Sequence, residues 1–245
     1  MQPILYVFPI SHFSEKARWA LDRAKFSYEL KALVPGEHIA VLKEIATETY
    51  VPVLQLEGQV IQGSSQILNH VDIQAFGAPS NQEELEAEDK IDNQIGRGLQ
   101  TMLYHFILGY PEIVGKLFQL APPKKADSVP PPERFDLISV ILRKRYKINP
   151  KNVEAVMTNM HQLTQEMQSI YKERKFFNGK HFGRVDLTIA SLMGSLVFPK
   201  EAPATAWFES VDMPEAYYDW RKSLGVEDLF EHLRGFYKEF RTQSK

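Results

Sequence analysis

Ile4-Leu5-Tyr6-Val7-Phe8, followed by Ser11-His12-Phe13-Ser14-Glu15-Lys16-Ala17-Arg18, opens the chain and decides its fold. The first run is short, continuous and apolar, as a buried strand requires. Behind it Phe13, Ala17, Ala20, Leu21 and Ala24 fall at helical spacing and predict a helix over 12–24 with one buried face. Residues 26–33 supply a second strand, Pro35-Gly36 a turn, and 38–46 a short helix. Strands at 53–56 and 59–61 flank Glu57-Gly58 as a hairpin. Gly63-Ser64-Ser65-Gln66-Ile67 then enters a helix carrying Ile67, Leu68 and Val71, with Ser64 as its expected N-cap. The order is β-α-β-α-β-β-α. Its first crossover makes a parallel pair and its hairpin adds an antiparallel edge.

The pattern breaks at Phe76-Gly77-Ala78-Pro79-Ser80-Asn81, where Gly, Pro and Ser gather in an otherwise periodic chain. This predicts an α/β domain over 1–76 and an all-helical domain over 84–245. Beyond the break three apolar stripes have helical period and read as core. Ile91, Ile95, Leu99, Met102, Leu103, Phe106 and Tyr110 form the first. Val153, Val156, Met157, Met160, Leu163, Met167 and Ile170 form the second, and Leu229, Phe230, Leu233, Phe236, Tyr237 and Phe240 the third. Residues 121–133, with Pro122-Pro123-Lys124-Lys125 and Pro130-Pro131-Pro132, read as a stiff connector.

Composition removes several classes of function. A formal net charge of −2 over 245 residues gives no positive field to draw in nucleic acid. No apolar run approaches the ~18 residues of a membrane span, and the start of the chain lacks the pattern of a secretory signal. Cysteine is absent, which excludes disulfides, thiolate metal sites and a cysteine nucleophile. The seven histidines show no His-Glu-x-x-His pairing, so no metal site is expected. By elimination the chain reads as cytoplasmic.

Three places carry chemistry. Ser11 falls where a strand ends and a helix begins, among unpaired N–H groups that favour negative charge. A hydroxyl there either caps the helix or donates a hydrogen bond to a bound thiolate, which is the nucleophilic form of a thiol. A thiol pKa lowered by ~2 units needs about 2.7 kcal/mol of preferential stabilisation, within reach of one charge-assisted hydrogen bond plus a helix end. Ser14, one turn on, is a cap, a core residue or a second donor. Val51-Pro52 precedes a strand; if that bond is cis, the N–H and C=O of Val51 open to an extended peptide ligand. Ser64 and Ser65 start a helix and either cap it or hold a carboxylate.

Taken in order, these motifs resemble a cytosolic glutathione transferase: the strand, Ser11-x-x-Ser14 with Arg18-Trp19-Ala20-Leu21 after it, Val51-Pro52-Val53-Leu54, Ser64-x-x-Ile67, then an all-helical half. The similarity is to the serine- and cysteine-type branches. It implies a thioredoxin-like N-terminal domain followed by a helical bundle. Ser11 matches the activating serine or cysteine, and Ser14 the second position of a related Cys-x-x-Cys, so thiol–disulfide chemistry is closed to this chain. Val51 matches the residue whose main chain pairs with the cysteinyl part of glutathione, Pro52 the cis-proline, and Ser64, with Ser65 beside it, the residue that binds the γ-glutamyl carboxylate. His38 resembles a position that reaches the glycine carboxylate. Tyr104, Phe106 and Tyr110 lie on the first long helix, where the resemblance implies a pocket for a small hydrophobic electrophile. Glutathione as co-substrate, a role in detoxification and a homodimer follow from the same likeness, with a ligand-binding or scaffolding protein of little turnover as the alternative.

The sequence departs from the pattern in three places. Gly63 stands where an acidic residue or Gln usually precedes the serine. Asn-Pro ahead of the Val-Pro step is replaced by Thr49-Tyr50. On the core helix Gly183 takes the cap while Asp186 keeps the third helical position. Arg143-Lys144-Arg145-Tyr146-Lys147 is a basic run that reads first as a solvated helix end and second as an anion site.

Overall fold

The computed structural model describes residues 2–118 and 132–241. Strand β1 (Ile4–Val7) is followed by α1 (His12–Arg23), β2 (Glu29–Ala32), α2 (His38–Ile45), β3 (Val53–Leu56), β4 (Gln59–Gln62) and α3 (Ser64–Phe76). The sheet runs β2-β1-β3-β4, with β1 and β2 parallel and the other two pairs antiparallel. Both the order of elements and the mixed sheet agree with the reading of the sequence, and element ends differ by up to three residues. The one shift that matters is at α3. Ser64 is its first residue, and Gly63, at φ +94°, is its cap. That backbone conformation is open to glycine and strained for other residues, which accounts for Gly63 at this step.

The rest is helical: α4 (Gln82–Ile91), a π-helical turn (Asp92–Gly96), α5 (Arg97–Ile107), α6 (Pro111–Phe118), α7 (Pro132–Arg145) and the long α8 (Pro150–Glu173). Then come α9 (Arg184–Leu192), the short α10 (Gly194–Val197) and α11 (Thr205–Glu209), α12 (Glu215–Ser223) and α13 (Glu227–Phe240). The connector expected at 121–133 falls almost wholly outside the described residues. Helix α9 is buried along its whole length, and the Gly183–Asp186 start reads as expected: the Asp186 carboxylate accepts from the Gly183 N–H at 2.8 Å. It also accepts from the Phe177 N–H and the Tyr171 hydroxyl, each at 2.8 Å. Burial pushes its pKa up to about 6 while those three donors pull it down.

Buried charge joins the sheet-bearing half to the helical half. Lys16 of α1 is fully buried and reaches Glu88 at 2.5 Å and Asp92 at 2.7 Å. Arg184 of α9 pairs with Glu88 and with Asp72, the latter at 3.1 Å, and donates to Asn69. Arg241, past α13, binds Glu15 at 2.7 Å and Asp22 at 2.8 Å on α1. Each of these ions has a partner of opposite sign, the condition under which burial is tolerated.

Candidate functional site

A cavity of about 880 Å³ opens between the β3–α3 edge and the helical half. One wall is main chain. The Val51–Pro52 peptide is cis. Among the described residues nothing pairs with the N–H or C=O of Val51, although the side chain is buried. The Pro52 carbonyl is taken by the Gly63 N–H at 2.9 Å, which ties the loop to the start of α3. Gln62 fixes the loop from the other side. Its amide nitrogen donates to the carbonyls of Glu48 (2.7 Å) and Tyr50 (2.8 Å), and its oxygen accepts from the Glu48 N–H. Gln62 therefore shapes this wall and has little left for a ligand. Ser64 lies on the same wall, at the N-terminus of α3, where free N–H groups favour an anion.

The hydroxyls differ in what they face. Ser11 is half-buried and caps α1, accepting from the Ser14 N–H at 3.2 Å. As acceptor it keeps its own O–H to donate. The cavity wall passes through Phe13 and does not include Ser11. Of the three readings open to Ser14, the structure places it in the core. It shares a stripe with Ala17 and Leu21, is turned into the core, and its Oγ meets no hydrogen-bond partner. Ser65 is likewise engaged. Its Oγ accepts from Lys16 at 3.1 Å and donates to Asp92 at 2.6 Å, so it anchors α3 to the ion cluster rather than offering its hydroxyl.

The two histidines near the site are structural. His38 accepts from the Gly36 N–H through Nδ1 at 2.9 Å, packs edge-on against Phe8 at 4.9 Å and bonds the main chain of Thr49. It holds its own loop and does not line the cavity. Burial lowers its pKa, the Thr49 bond opposes this, and Arg145 nearby adds to the lowering. His12 places Nε2 2.9 Å from the Gly96 carbonyl. Desolvation pushes its pKa down to about 4 against that bond, so the ring stays neutral and donates. This contact lies at the end of the π-helical turn, where Phe13 also fills the space at Gly96 in which a Cβ would stand 2.6 Å from its ring.

The second wall comes from that turn and from α5, the end of α7 and α8. It carries Arg97, Gln100, Thr101, Arg145, Tyr146, Lys147, Asn152 and Asn159. Tyr104, Phe106 and Tyr110 lie off it. Tyr104 stacks on Tyr146 at 4.5 Å, and burial with the neighbouring Tyr146 raises its pKa. Phe106 packs on Trp220 at 5.5 Å, and Tyr110 is exposed. Sequence reasoning missed Tyr50, Arg97 and Tyr146 as wall residues. Only the basic run at 143–147 signalled part of this face.

Comparison with known proteins agrees with the geometry. Residues 5–79 match the family described as glutathione S-transferase, N-terminal domain. That stretch of the chain therefore carries a glutathione S-transferase N-terminal domain. No curated protein matches the sequence. Solved structures share the fold over nearly the whole chain. A glutathione transferase from Phanerochaete chrysosporium is 14% identical, with 100% of this chain and 99% of that one covered and a TM-score of 0.59. A beta-etherase from Sphingobium sp. is 15% identical, covering 91% and 100%, with a TM-score of 0.57. A third, a glutathione S-transferase bound with lactoylglutathione, is 14% identical, covering 96% and 99%, with a TM-score of 0.50. The glutathione transferase fold thus extends beyond residue 79 into the helical half.

Proposed function

We propose that this protein binds glutathione and transfers it to an electrophile. The observation that carries the reading is the unpaired main chain of Val51 beside the cis Pro52, on one cavity wall with Ser64 at the start of α3. An extended tripeptide pairs its cysteinyl main chain with Val51, as an added strand would, and sets its γ-glutamyl carboxylate against the α3 N-terminus. The glutathione thiol gives its proton to water. The Ser11 O–H and the N-terminus of α1 then hold the thiolate. The sulfur forms a C–S bond with the electrophilic carbon. Either a leaving group departs with its electron pair, or the pair moves onto a conjugated carbonyl and takes a proton from water. Positioning and charge stabilisation carry such a step. Ser14 and Ser65 act through the fold, and His38 through its loop.

The division into an α/β domain over 1–76 and a helical domain over 84–245 belongs to this reading. So do a cytoplasmic location, a role in detoxification and a homodimer. No described helix is long and apolar enough to cross a membrane. Leu137, Val140 and Ile141 stand more than half exposed on one face of α7, which supports a second copy covering them; a monomer in sedimentation would count against it.

One observation favours a binder with little turnover: Ser11 stands off the cavity wall. Steady-state turnover with a panel of electrophiles tests this. Activity lost in Ser11→Ala and kept in Ser14→Ala supports transfer. Glutathione binding without turnover favours the binder.

A further inference from the structure

The wall facing Val51 and Ser64 is cationic. Arg97, Arg145 and Lys147 line it, with Gln100, Asn152 and Asn159 between them. None of the three cations has an acidic partner among the described residues. Among the described residues the only acid on the wall, Asp92, is already paired with buried Lys16 at 2.7 Å. A surface that spaces three free cations with amides suits an anion and serves an apolar ligand poorly. Charge arithmetic points the same way. Glutathione brings two carboxylates and one ammonium, a net charge of about −1 as the thiol and about −2 as the thiolate. Three cations exceed either value, and one of glutathione's carboxylates is already assigned to the start of α3. Positive charge remains after the tripeptide is seated, in a cleft whose walls focus it.

We infer that the second substrate is an anionic electrophile, one that bears a carboxylate near its reactive carbon, held by Arg97 and Lys147. The inference rests on the glutathione reading above and replaces the small hydrophobic electrophile that the sequence implies. Arg145 lies within electrostatic reach of His38, so it is left unchanged in the test.

The test compares two glutathione conjugates of one skeleton, S-hexylglutathione and S-(5-carboxypentyl)glutathione, by calorimetry at low and high salt. Glutathione itself is measured beside them. The wild type binds the carboxylate conjugate about tenfold more tightly than the hexyl conjugate, and the advantage shrinks as salt is raised. In the double variant Arg97→Gln, Lys147→Gln the advantage disappears while glutathione affinity is unchanged. Hexyl binding equal to or tighter than carboxypentyl binding, with glutathione bound normally, overturns the inference alone. A double variant that weakens glutathione as much as the carboxylate conjugate also overturns it, because the cations then serve the tripeptide. If none of the three compounds binds, the glutathione reading itself falls and takes the inference with it.

Discussion

The two walls of the cavity are built from different material. The β3–α3 wall presents main chain: Val51 beside a cis proline, Gly63 in a left-handed conformation, and the first turn of α3. Its shape is set locally, by a few residues whose backbone preferences are narrow. The helical wall presents side chains from the π-helical turn, α5, α8 and the end of α7. Its shape depends on what presses against it, above all His12 and Phe13 of α1 on Gly96. The contrast assigns two tasks. The first wall suits a constant ligand recognised through its peptide groups. On the proposed reading the second is free to vary in charge and sets which partner substrate is accepted.

The strongest way to break this arrangement is to cut the link between the walls. Lys16 joins α1 to Ser65 of α3 and to Asp92 of the π-helical turn. Lys16→Met leaves Glu88 and Asp92 short of a cation, and denaturant unfolding is expected to show a loss of about 3–5 kcal/mol.

The His12 contact is tested through pH. Its folded pKa of about 4 lies below the ordinary 6.5, so the unfolded chain binds the proton more readily. The His12 contribution is fully present above pH 6.5 and is lost as pH falls toward 4, by about 3 kcal/mol at most. Asp186 works the other way. Its folded pKa is raised to about 6, so its protonation favours the folded state as pH falls through that value. The difference in stability between wild type and His12→Asn, followed from pH 7 to 4, removes the Asp186 contribution and isolates the imidazole. A difference that does not change with pH would contradict the assignment.

Gly96→Ala sharpens the comparison from the other side. The added Cβ would meet Phe13 at 2.6 and 2.9 Å and Leu192 at 3.0 Å. The expected cost is about 1–3 kcal/mol by thermal unfolding, with Phe13 displaced into the cavity. Smallest are the two serines. Ser11→Ala removes a cap and costs about 1 kcal/mol. Ser14→Ala removes a buried hydroxyl without a partner and leaves stability level or slightly raised, a contrast that chemical denaturation of both variants reads directly.

Most of the first wall was legible in the sequence because its determinants are contiguous. The strand, the Val-Pro step and the serine after a glycine are each local signals with a local cause, and the Gly183–Asp186 start of the core helix α9 is another of the same kind. The second wall was legible only in part. The apolar stripe from Ile91 to Tyr110 was counted at helical period, but the π-helical turn inserts a wider turn at 92–96. Beyond it Ile107 and Leu108 are buried, where the count pointed to Phe106 and Tyr110. The pocket expected at Tyr104, Phe106 and Tyr110 came from the family resemblance and not from this count, and those side chains lie off the wall. The sequence leaves Ser14 open between cap, core and second donor for another reason. The spacing Ser11-x-x-Ser14 does not say which of the two faces the core, and packing of Ala17 and Leu21 decided it. The basic run at 143–147 read as a solvated helix end because nothing along the chain announces that the start of α3 faces it across a cleft.

The most direct test of the central claim is titration of the protein with glutathione, followed by ultraviolet absorbance of the thiolate, in wild type and Ser11→Ala. The account predicts saturable binding with a new thiolate band in the wild type, and a band that vanishes in Ser11→Ala while binding persists through Val51 and Ser64. Absence of binding at millimolar glutathione, or a thiolate band unchanged in Ser11→Ala, would contradict it.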